Sequence, residues 1–272
     1  MAHARYAAAV RIESHQAGSA RRIACLGGAY GNLPALAACV EDARAAGADV
    51  LAFLGDSVGC CGHSDEVVDA VRARFSVLVA GNHEQEAASG SLACGCGYAD
   101  ADDERLSCVA FARAMGSLSE DRRAWLGTWP DLAVVHTARG AVLLCHGSPA
   151  QTNAFLYEST VDVDSAGAWL TEHGAFCFVG THSGLPWVKP LADGRFAANC
   201  GVVGQPDNDG DPAVHWLLVD VEQRSASVRR VSYDHGAWAS QLRSEGVDEV
   251  FVSPLLTGRW TTGRSSLPAG GR

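Results

Sequence analysis

Five short polar clusters carry the residues that could do chemistry, and each follows an apolar, strand-like run. They combine carboxylate, amide and imidazole groups with glycines that let the backbone approach closely: Gly27-Gly28-Ala29-Tyr30-Gly31-Asn32, Gly55-Asp56, Gly81-Asn82-His83-Glu84, His146-Gly147-Ser148 and Gly180-Thr181-His182-Ser183-Gly184. Oxygen and imidazole donors bind divalent ions such as Mn, Fe, Zn or Ni. A single aspartate or histidine of this kind is commonly a turn, cap or core residue. The recurrence at five strand ends predicts a shared metal site.

The elements around these clusters predict how they are brought together. Residues 22–26, 49–54 and 75–80 form apolar strands, separated by helices that begin near Asn32 and Ser64. A β-α-β-α-β order favours parallel strands with right-handed crossovers. Ligands bind in the crevice beyond the carboxyl ends of such strands, so we expect the polar clusters to converge there.

The second half of the chain is predicted to be rich in strands. Residues 132–137 pair with 141–145, residues 175–179 add a strand, two hairpins follow, and the last helix spans about 236–244. Two sheets with helices outside them account for this order, so the fold class is α/β. We predict a flexible N-terminal tail over residues 1–20, a single domain over 21–256 and a flexible C-terminal tail over 257–272.

Charge and hydropathy argue against several classes of partner. The net charge is −10 and no basic stripe is visible, which disfavours binding to a nucleic acid polymer or an anionic membrane surface. No apolar run reaches the roughly 18 residues of a transmembrane helix. The apolar piece at residues 6–10 is too short for the core of a signal peptide. We therefore expect a cytoplasmic protein.

The ten cysteines are a second chemical feature. Without an export signal, and with enough apolar residues for a full core, reduced thiols are expected instead of a disulfide framework. Cys60, Cys61, Cys94 and Cys96 lie in two loops that should meet at the rim of the crevice. These four thiols could bind a second, soft ion, although their spacing differs from that of common zinc sites. Redox chemistry, a thiophilic substrate and plain apolar packing are the alternatives.

The order of the clusters resembles that of the calcineurin-like metallophosphoesterases, especially the small bacterial phosphodiesterase and diadenosine-tetraphosphatase-like branch. The family pattern is Asp-x-His-Gly-Asn, Gly-Asp, Gly-Asn-His-Asp/Glu, His-Gly and Gly-His-x-His. The resemblance spans residues 22–220 and is carried by Gly31-Asn32-Leu33-Pro34-Ala35-Leu36, Gly55-Asp56-x-Val58-Gly59, Gly81-Asn82-His83-Glu84 and His146-Gly147-Ser148-Pro149. It implies a four-layer α/β/β/α sandwich of two mixed sheets and metal-dependent phosphoester hydrolysis.

The departures from the family pattern all fall on one of its two metal positions. The family's first aspartate, first histidine and last histidine correspond here to Gly28, Tyr30 and Gly184. The ligands of the other metal are all retained, as Asp56, Asn82, His146 and His182. The resemblance therefore implies a mononuclear site for one divalent ion.

Catalytic or substrate-binding roles are also expected for other residues in and near the clusters. His83 matches the family histidine that assists the leaving group and could act as a general acid, or it could orient Asp56. Tyr30 could donate a hydrogen bond to a substrate oxygen or fill the space of the missing ligand. The predicted substrate-binding residues are Asn32, Cys60, Cys61 and Glu158, the last with a surface carboxylate as its alternative.

The function expected from these residues is hydrolysis of a small phosphate ester or phosphodiester at one metal ion. Two alternatives stay open. One is a non-hydrolytic mononuclear metalloenzyme of a biosynthetic pathway, with iron as an option. The other is a degenerate phosphoesterase that acts as a binding or regulatory protein. The expected partner is a small phosphorylated molecule, and a homo-oligomer is compatible with the sequence, which names neither substrate nor metal.

Overall fold

Two β-sheets stack face to face and carry helices on their outer faces. The computed structural model describes residues 10–268. Its strands are β1 (Ile12–Gln16), β2 (Arg22–Leu26), β3 (Val50–Phe53), β4 (Val77–Leu78), β5 (Leu132–Thr137), β6 (Gly140–Leu144), β7 (Ala175–Gly180), β8 (Trp187–Pro190), β9 (Phe196–Asn199), β10 (Val214–Asp220) and β11 (Ser225–Val231). Its helices are α1 (Leu33–Ala45), α2 (Ser64–Arg74), α3 (Asn82–Ser89), α4 (Ala101–Gly116), α5 (Glu120–Leu126), α6 (Val163–Glu172), α7 (His235–Ser244) and α8 (Glu249–Thr257).

Both sheets are mixed. The first has the order β11-β10-β2-β3-β4, in which β2, β3 and β4 are parallel and β10 is antiparallel to both of its neighbours. The second has the order β1-β5-β6-β7-β9-β8, in which β6, β7 and β9 are parallel. The predicted four-layer α/β/β/α sandwich of two mixed sheets is confirmed.

The side chains of the central strands are buried on both faces. In β2, Ile23 and Cys25 pack between the two sheets, whereas Ala24 and Leu26 pack against the helical layer that contains α1. Alternate residues of a strand point to opposite faces, so a strand covered on both sides is apolar throughout. This is why the strands that precede the polar clusters are recognisable in the sequence as short apolar runs.

The N-terminal prediction is wrong for part of its range. Strand β1 pairs in parallel with β5, from Ile12 opposite Leu132 to Gln16 opposite His136. It is an edge strand whose side chains are mostly exposed, so backbone hydrogen bonds hold it and no apolar pattern marks it in the sequence. The remainder of the predicted tail includes residues 1–9, which lie outside the described residues.

The C-terminal prediction is also wrong, because residues 257–268 are packed against the domain. Pro254 inside α8 has no backbone N–H, which frees the carbonyl of Val250, and the hydroxyl of Thr261 donates a hydrogen bond to that carbonyl. The indole Nε1 of Trp260 donates to the carbonyl of Pro206 over 2.6 Å. Residues 269–272 lie outside the described residues. Within residues 10–268, no helix is long and apolar enough to cross a membrane.

Candidate metal centre

Four segments bring polar side chains to one edge of the stacked sheets. Asp56 follows β3, Asn82 begins α3 just after β4, His146 follows β6 and His182 follows β7. All four residues are at most 8% exposed. The structure therefore places the four predicted metal ligands in the crevice beyond the strands' carboxyl ends, where ligands of such sheets bind.

Three of these residues converge on one point. Asp56 Oδ2 lies 3.4 Å from His146 Nε2, which lies 3.1 Å from His182 Nδ1. One donor atom from each of the three residues lies within 4.8 Å of the other two. Nitrogen and oxygen ligands bind zinc-sized ions at about 2.0–2.2 Å, so neighbouring ligands in a tetrahedral shell lie roughly 3.3–3.6 Å apart. The spacing suits one ion.

The backbone holds both imidazole rings in the orientation that a metal needs. His146 Nδ1 lies 2.6 Å from the carbonyl of Leu54, and His182 Nε2 lies 3.3 Å from the carbonyl of Cys96. A carbonyl oxygen only accepts, so these nitrogens carry the protons. When both rings are neutral, the lone pairs of His146 Nε2 and His182 Nδ1 face each other and Asp56, an arrangement that a cation between them would satisfy.

Asn82 adds a fourth oxygen. Its Nδ2 donates to the carbonyl of Cys94 over 2.7 Å, which directs Oδ1 the other way. That Oδ1 is buried and has no hydrogen-bond partner among the described residues. A buried polar atom without a partner costs roughly 1–3 kcal/mol of stability. A cation bound to Asn82 Oδ1 would remove this cost. The donor set of one carboxylate, one amide oxygen and two imidazoles fits a divalent transition-metal ion.

Glycine is required where the ligand-bearing loops approach each other. A β-carbon at Gly55 would lie 2.8 Å from His146 Nδ1, and one at Gly81 would lie 2.8 Å from His146 Cε1. Real β-carbons do not approach other atoms so closely, so any larger residue would separate Asp56 from the histidine. Gly55 also has a φ of +91°, which side chains rarely adopt.

The charges at the centre favour an anionic aspartate beside its histidines. Burial alone would raise the pKa of Asp56, but His146 and His83 lower it far below its usual range. Burial, together with the neighbouring His146, lowers the pKa of His182 to about 3. His182 is therefore a neutral ligand at physiological pH, and Asp56 supplies the negative charge that attracts a cation.

His83 lies beside the candidate metal ligands and lines the adjoining cavity. Its Nδ1 donates to the carbonyl of Val58 over 2.7 Å, and its backbone N–H donates to Asp56 Oδ1 over 3.2 Å. Burial lowers the pKa of His83, but Asp56 and the Val58 carbonyl together raise it above the usual value. The residue has a cavity-facing imidazole that can hold a proton and a backbone that orients Asp56.

Glu84 has a role that the sequence analysis missed. It is fully buried, and its Oε2 accepts from the backbone N–H groups of Asp56 (2.7 Å) and Gly81 (2.8 Å). Its Oε1 accepts from the N–H (2.8 Å) and the hydroxyl (2.7 Å) of Ser57. One carboxylate thus joins the loop after β3 to the loop after β4. The available signal was its place in the Gly81-Asn82-His83-Glu84 cluster.

The sequence profile of the calcineurin-like phosphoesterases matches residues 15–213, about three quarters of the chain. The chain belongs to the calcineurin-like phosphoesterase family. Its members are metal-dependent phosphoester hydrolases, and the structure of this chain's crevice, with converging aspartate and histidine side chains, agrees with that activity.

Relatives cover nearly the whole phosphoesterase chain. An uncharacterized protein of Methanocaldococcus jannaschii is 25% identical over 252 residues, which are 87% of this chain and 98% of that protein. The solved metallophosphoesterase of Sphaerobacter thermophilus has a TM-score of 0.68 at 24% identity, over 88% of this chain and 100% of its own. A hypothetical protein of Pyrococcus horikoshii has a TM-score of 0.71 at 19% identity, over 88% and 99%. These two structures support the fold.

The phosphoesterase departs from the family's ligand pattern at Gly28, Tyr30 and Gly184. Apolar side chains lie beside two of these positions, Gly28 and Gly184. A β-carbon at Gly28 would collide with Cγ1 of Val202 and lie 3.2 Å from the ring of Tyr30. One at Gly184 would lie 3.0 Å from the ring of Trp260. The tyrosine itself has a positive φ of 50° and lines the cavity. Side chains thus fill the space beside Gly28 and Gly184.

A cavity of about 130 Å³ opens beside Asp56 and His182. Its walls combine aromatic and aliphatic side chains with a few hydroxyl, thiol and amide groups, and include Tyr98, Phe155, Phe251, Val202 and Trp260. None of the described residues that line it is a lysine or an arginine. The cavity is thus mainly apolar, with the aspartate and histidines at its base.

The predicted substrate-binding residues separate into two groups. Cys60 lines the cavity, whereas Asn32, Cys61 and Glu158 are not among its lining residues. Asn32 is fully buried and caps α1, accepting from the N–H of Ala35 over 3.2 Å and donating to Gly204 and Tyr233. Cys61 packs in an apolar cluster with α7 and α8, and Glu158 is exposed. The structure thus places these three side chains away from the cavity, and their roles in substrate binding stay predictions.

The predicted four-cysteine site is also wrong. Cys60 and Cys61 have their Sγ atoms 4.0 Å apart, but they belong to a different apolar cluster from Cys94 and Cys96. No three of these four sulfur atoms lie within 4.8 Å of one another in the described part of the chain. All ten cysteines are free thiols, as the sequence analysis predicted. Side-chain direction, which local sequence does not determine, separates the two pairs.

Proposed function

We propose that this protein hydrolyses a small phosphodiester at a single divalent cation bound by Asp56, Asn82, His146 and His182. The observation that carries the proposal is the unpartnered, buried Oδ1 of Asn82 beside three converging donor atoms. The filled space near Gly28 and Gly184 supports a mononuclear site, because a second ion would need ligands where Val202 and Trp260 now pack.

The proposed ligands offer two oxygens and two nitrogens, which suit Mn, Fe, Zn or Ni. When bound, a divalent cation supplies a Lewis acid for a phosphoryl oxygen and lowers the pKa of water. Asp56 balances the charge of the cation, and the backbone carbonyls of Leu54 and Cys96 fix the tautomers of the two histidines. Glu84 holds the two loops in register.

Two cavity residues are proposed to act on the substrate directly. Burial, with the charge of Asp56 nearby, raises the pKa of Tyr30, so its hydroxyl keeps its proton and can donate a hydrogen bond to a phosphoryl oxygen. His83 has a raised pKa and can deliver a proton from Nε2 to the departing oxygen, while Nδ1 stays bound to Val58. Tyr30 and His83 have ring centroids 6.0 Å apart, so both can reach one small phosphate group.

The charge of the cavity favours a diester. A phosphodiester carries one negative charge near neutral pH, whereas a monoester carries nearly two. With no lysine or arginine among the described lining residues, only the cation and a protonated His83 are available to balance the second charge. The aromatic walls are suited to an apolar or planar group on the substrate.

Metal stoichiometry tests the mononuclear site. The metal content of the wild-type protein should exceed that of Asp56→Asn by one equivalent per chain, measured by elemental analysis after gel filtration. A difference of two equivalents would contradict a mononuclear centre. One equivalent of iron without turnover of any phosphoester would support the non-hydrolytic alternative instead.

Substrate charge gives a second prediction. We expect kcat/KM for bis(4-nitrophenyl) phosphate to exceed that for 4-nitrophenyl phosphate by about 10-fold or more, since leaving one charge poorly compensated costs at least about 1.4 kcal/mol. Steady-state rates with both compounds at pH 8 measure this preference.

The variant Thr262→Lys adds a cation to the cavity wall and should shift the preference toward the monoester. Asp193→Lys, on the exposed turn between β8 and β9, is the matched control. A wild-type preference for the monoester would contradict the substrate class but leave the metal centre intact.

A further inference from the structure

A second group of potential ligands lies outside the crevice, where α4 packs against the loop of residues 90–100. Cys94 is on this loop, and Glu104 and Cys108 are on α4. One sulfur from each cysteine and one carboxylate oxygen lie within 4.8 Å of one another. Around a tetrahedral ion, sulfur and oxygen ligands at about 2.3 and 2.0–2.2 Å lie roughly 3.3–3.8 Å apart, so small side-chain rotations complete the geometry.

The helix supplies two of these ligands on one face. Glu104 and Cys108 are four residues apart, the spacing that makes helix side chains neighbours, and Cys108 Sγ lies 3.9 Å from Glu104 Oε1. The other carboxylate oxygen, Oε2, is buried and has no hydrogen-bond partner among the described residues. An anionic oxygen in this state costs free energy unless a cation or a donor is supplied.

The third ligand, Cys94, is held in place by polar contacts at its sulfur. Cys94 Sγ accepts from the N–H of Cys96 over 3.3 Å and lies 3.1 Å from the hydroxyl of Ser107. A thiolate is the form of cysteine that binds metals.

The same loop orients two ligands of the catalytic centre. The carbonyl of Cys94 accepts from Asn82 Nδ2 over 2.7 Å, and the carbonyl of Cys96 lies 3.3 Å from His182 Nε2. Anything that fixes Cys94 to α4 therefore restrains the loop that directs the asparagine oxygen and the histidine ring.

We propose that Cys94, Glu104 and Cys108 bind a second, thiophilic divalent cation of the zinc class, which fixes the loop of residues 90–100 to α4. Two thiolates and a carboxylate are ligands that zinc accepts, with water or the Ser107 hydroxyl as the fourth. The site differs from the centre at Asp56 in its ligands, and the proposal does not depend on the phosphodiesterase reaction.

Cadmium titration of the metal-free protein tests the site, because thiolate-bound Cd²⁺ has an ultraviolet charge-transfer band that oxygen and imidazole ligands do not produce. The Asp56→Asn variant should keep the band at one equivalent of Cd²⁺. Cys108→Ser should weaken Cd²⁺ binding by at least about 100-fold, and Glu104→Gln by about 10-fold, since even supporting partners of ligands are worth 10–100-fold.

The control is Asp102→Asn, an exposed carboxylate on the same helix, which should leave the titration unchanged. A second measurement distinguishes loss of the metal site from misfolding of the variant. Zn²⁺ should raise the melting temperature of Asp56→Asn but not that of the double variant Asp56→Asn with Cys108→Ser. The proposal is overturned if the wild-type protein has no charge-transfer band, or if Cys108→Ser and Glu104→Gln bind Cd²⁺ as tightly as the parent.

Discussion

Replacing Asp56 with asparagine should remove the proposed catalytic cation and lower the proposed phosphodiester turnover by about 1,000-fold or more. Asp56 is the only carboxylate in the proposed ligand set, so its loss leaves a divalent charge beside neutral imidazoles and an amide in a buried crevice. A thousandfold loss corresponds to about 4 kcal/mol, within the several kcal/mol that a metal ion contributes to such transition states. Elemental analysis and steady-state kinetics on the same sample measure both effects.

Asp69→Asn is the matched control for this substitution. Asp69 is an exposed carboxylate on α2 that pairs with Arg122, and its replacement should leave metal content and turnover unchanged. Added metal should raise the melting temperature of the wild-type protein and of Asp69→Asn by more than that of Asp56→Asn. If Asp56→Asn kept its full metal content and a tenth or more of the turnover, the assigned catalytic centre would be incorrect.

The second large effect is expected for Glu84→Gln, although Glu84 need not touch metal or substrate. Each carboxylate oxygen accepts two hydrogen bonds, from Asp56 and Gly81 on one side and from Ser57 on the other. In either orientation of the glutamine amide, its NH2 group would face a backbone N–H donor. We expect a loss of about 2–4 kcal/mol in the free energy of unfolding, because buried hydrogen bonds to a charged group are replaced by opposed donors.

The loss of Glu84 should also weaken metal binding, because Asp56 and the start of α3 would no longer be held in register. Denaturant unfolding of the metal-free protein separates the stability effect from the binding effect. Glu66→Gln, at an exposed position in the first turn of α2, should change the unfolding free energy by no more than about 0.5 kcal/mol. Equal midpoints for Glu84→Gln and the wild type would show that the carboxylate does not join the loops.

The apolar walls of the cavity come from segments that lie far apart in the chain. Trp260, from the C-terminal segment, packs beside Gly184, and Val202 packs beside Gly28. Two positions at which the family pattern has ligands are thus bordered by apolar side chains. Val202 and Trp260 both line the cavity, so the space beside these two positions is part of its apolar wall.

Much of the scaffold could be predicted because the sequence patterns that mark its strands and helices are local. Apolar runs that end in glycine and a polar residue mark the central strands, and the alternation of strands with helices predicts parallel pairing. Parallel strands place their carboxyl ends at one edge, so the parallel order of β6 and β7 brings His146 close to His182. The stacking of the two sheets then brings Asp56, which follows β3 of the other sheet, to these histidines. The edge strand β1 was missed because its exposed side chains have no apolar pattern.

The sequence by itself thus determined the fold class, the family and the residues that gather at the crevice. Only the tertiary structure decided where individual side chains point. Asn32 caps a helix, Glu84 joins two loops, and Cys94 faces Cys108 instead of Cys60. The physical reason is that the positions of strands and helices along the chain depend on short-range patterns of hydropathy, whereas side-chain direction and the docking of residues 257–268 depend on packing between segments that are distant in the sequence.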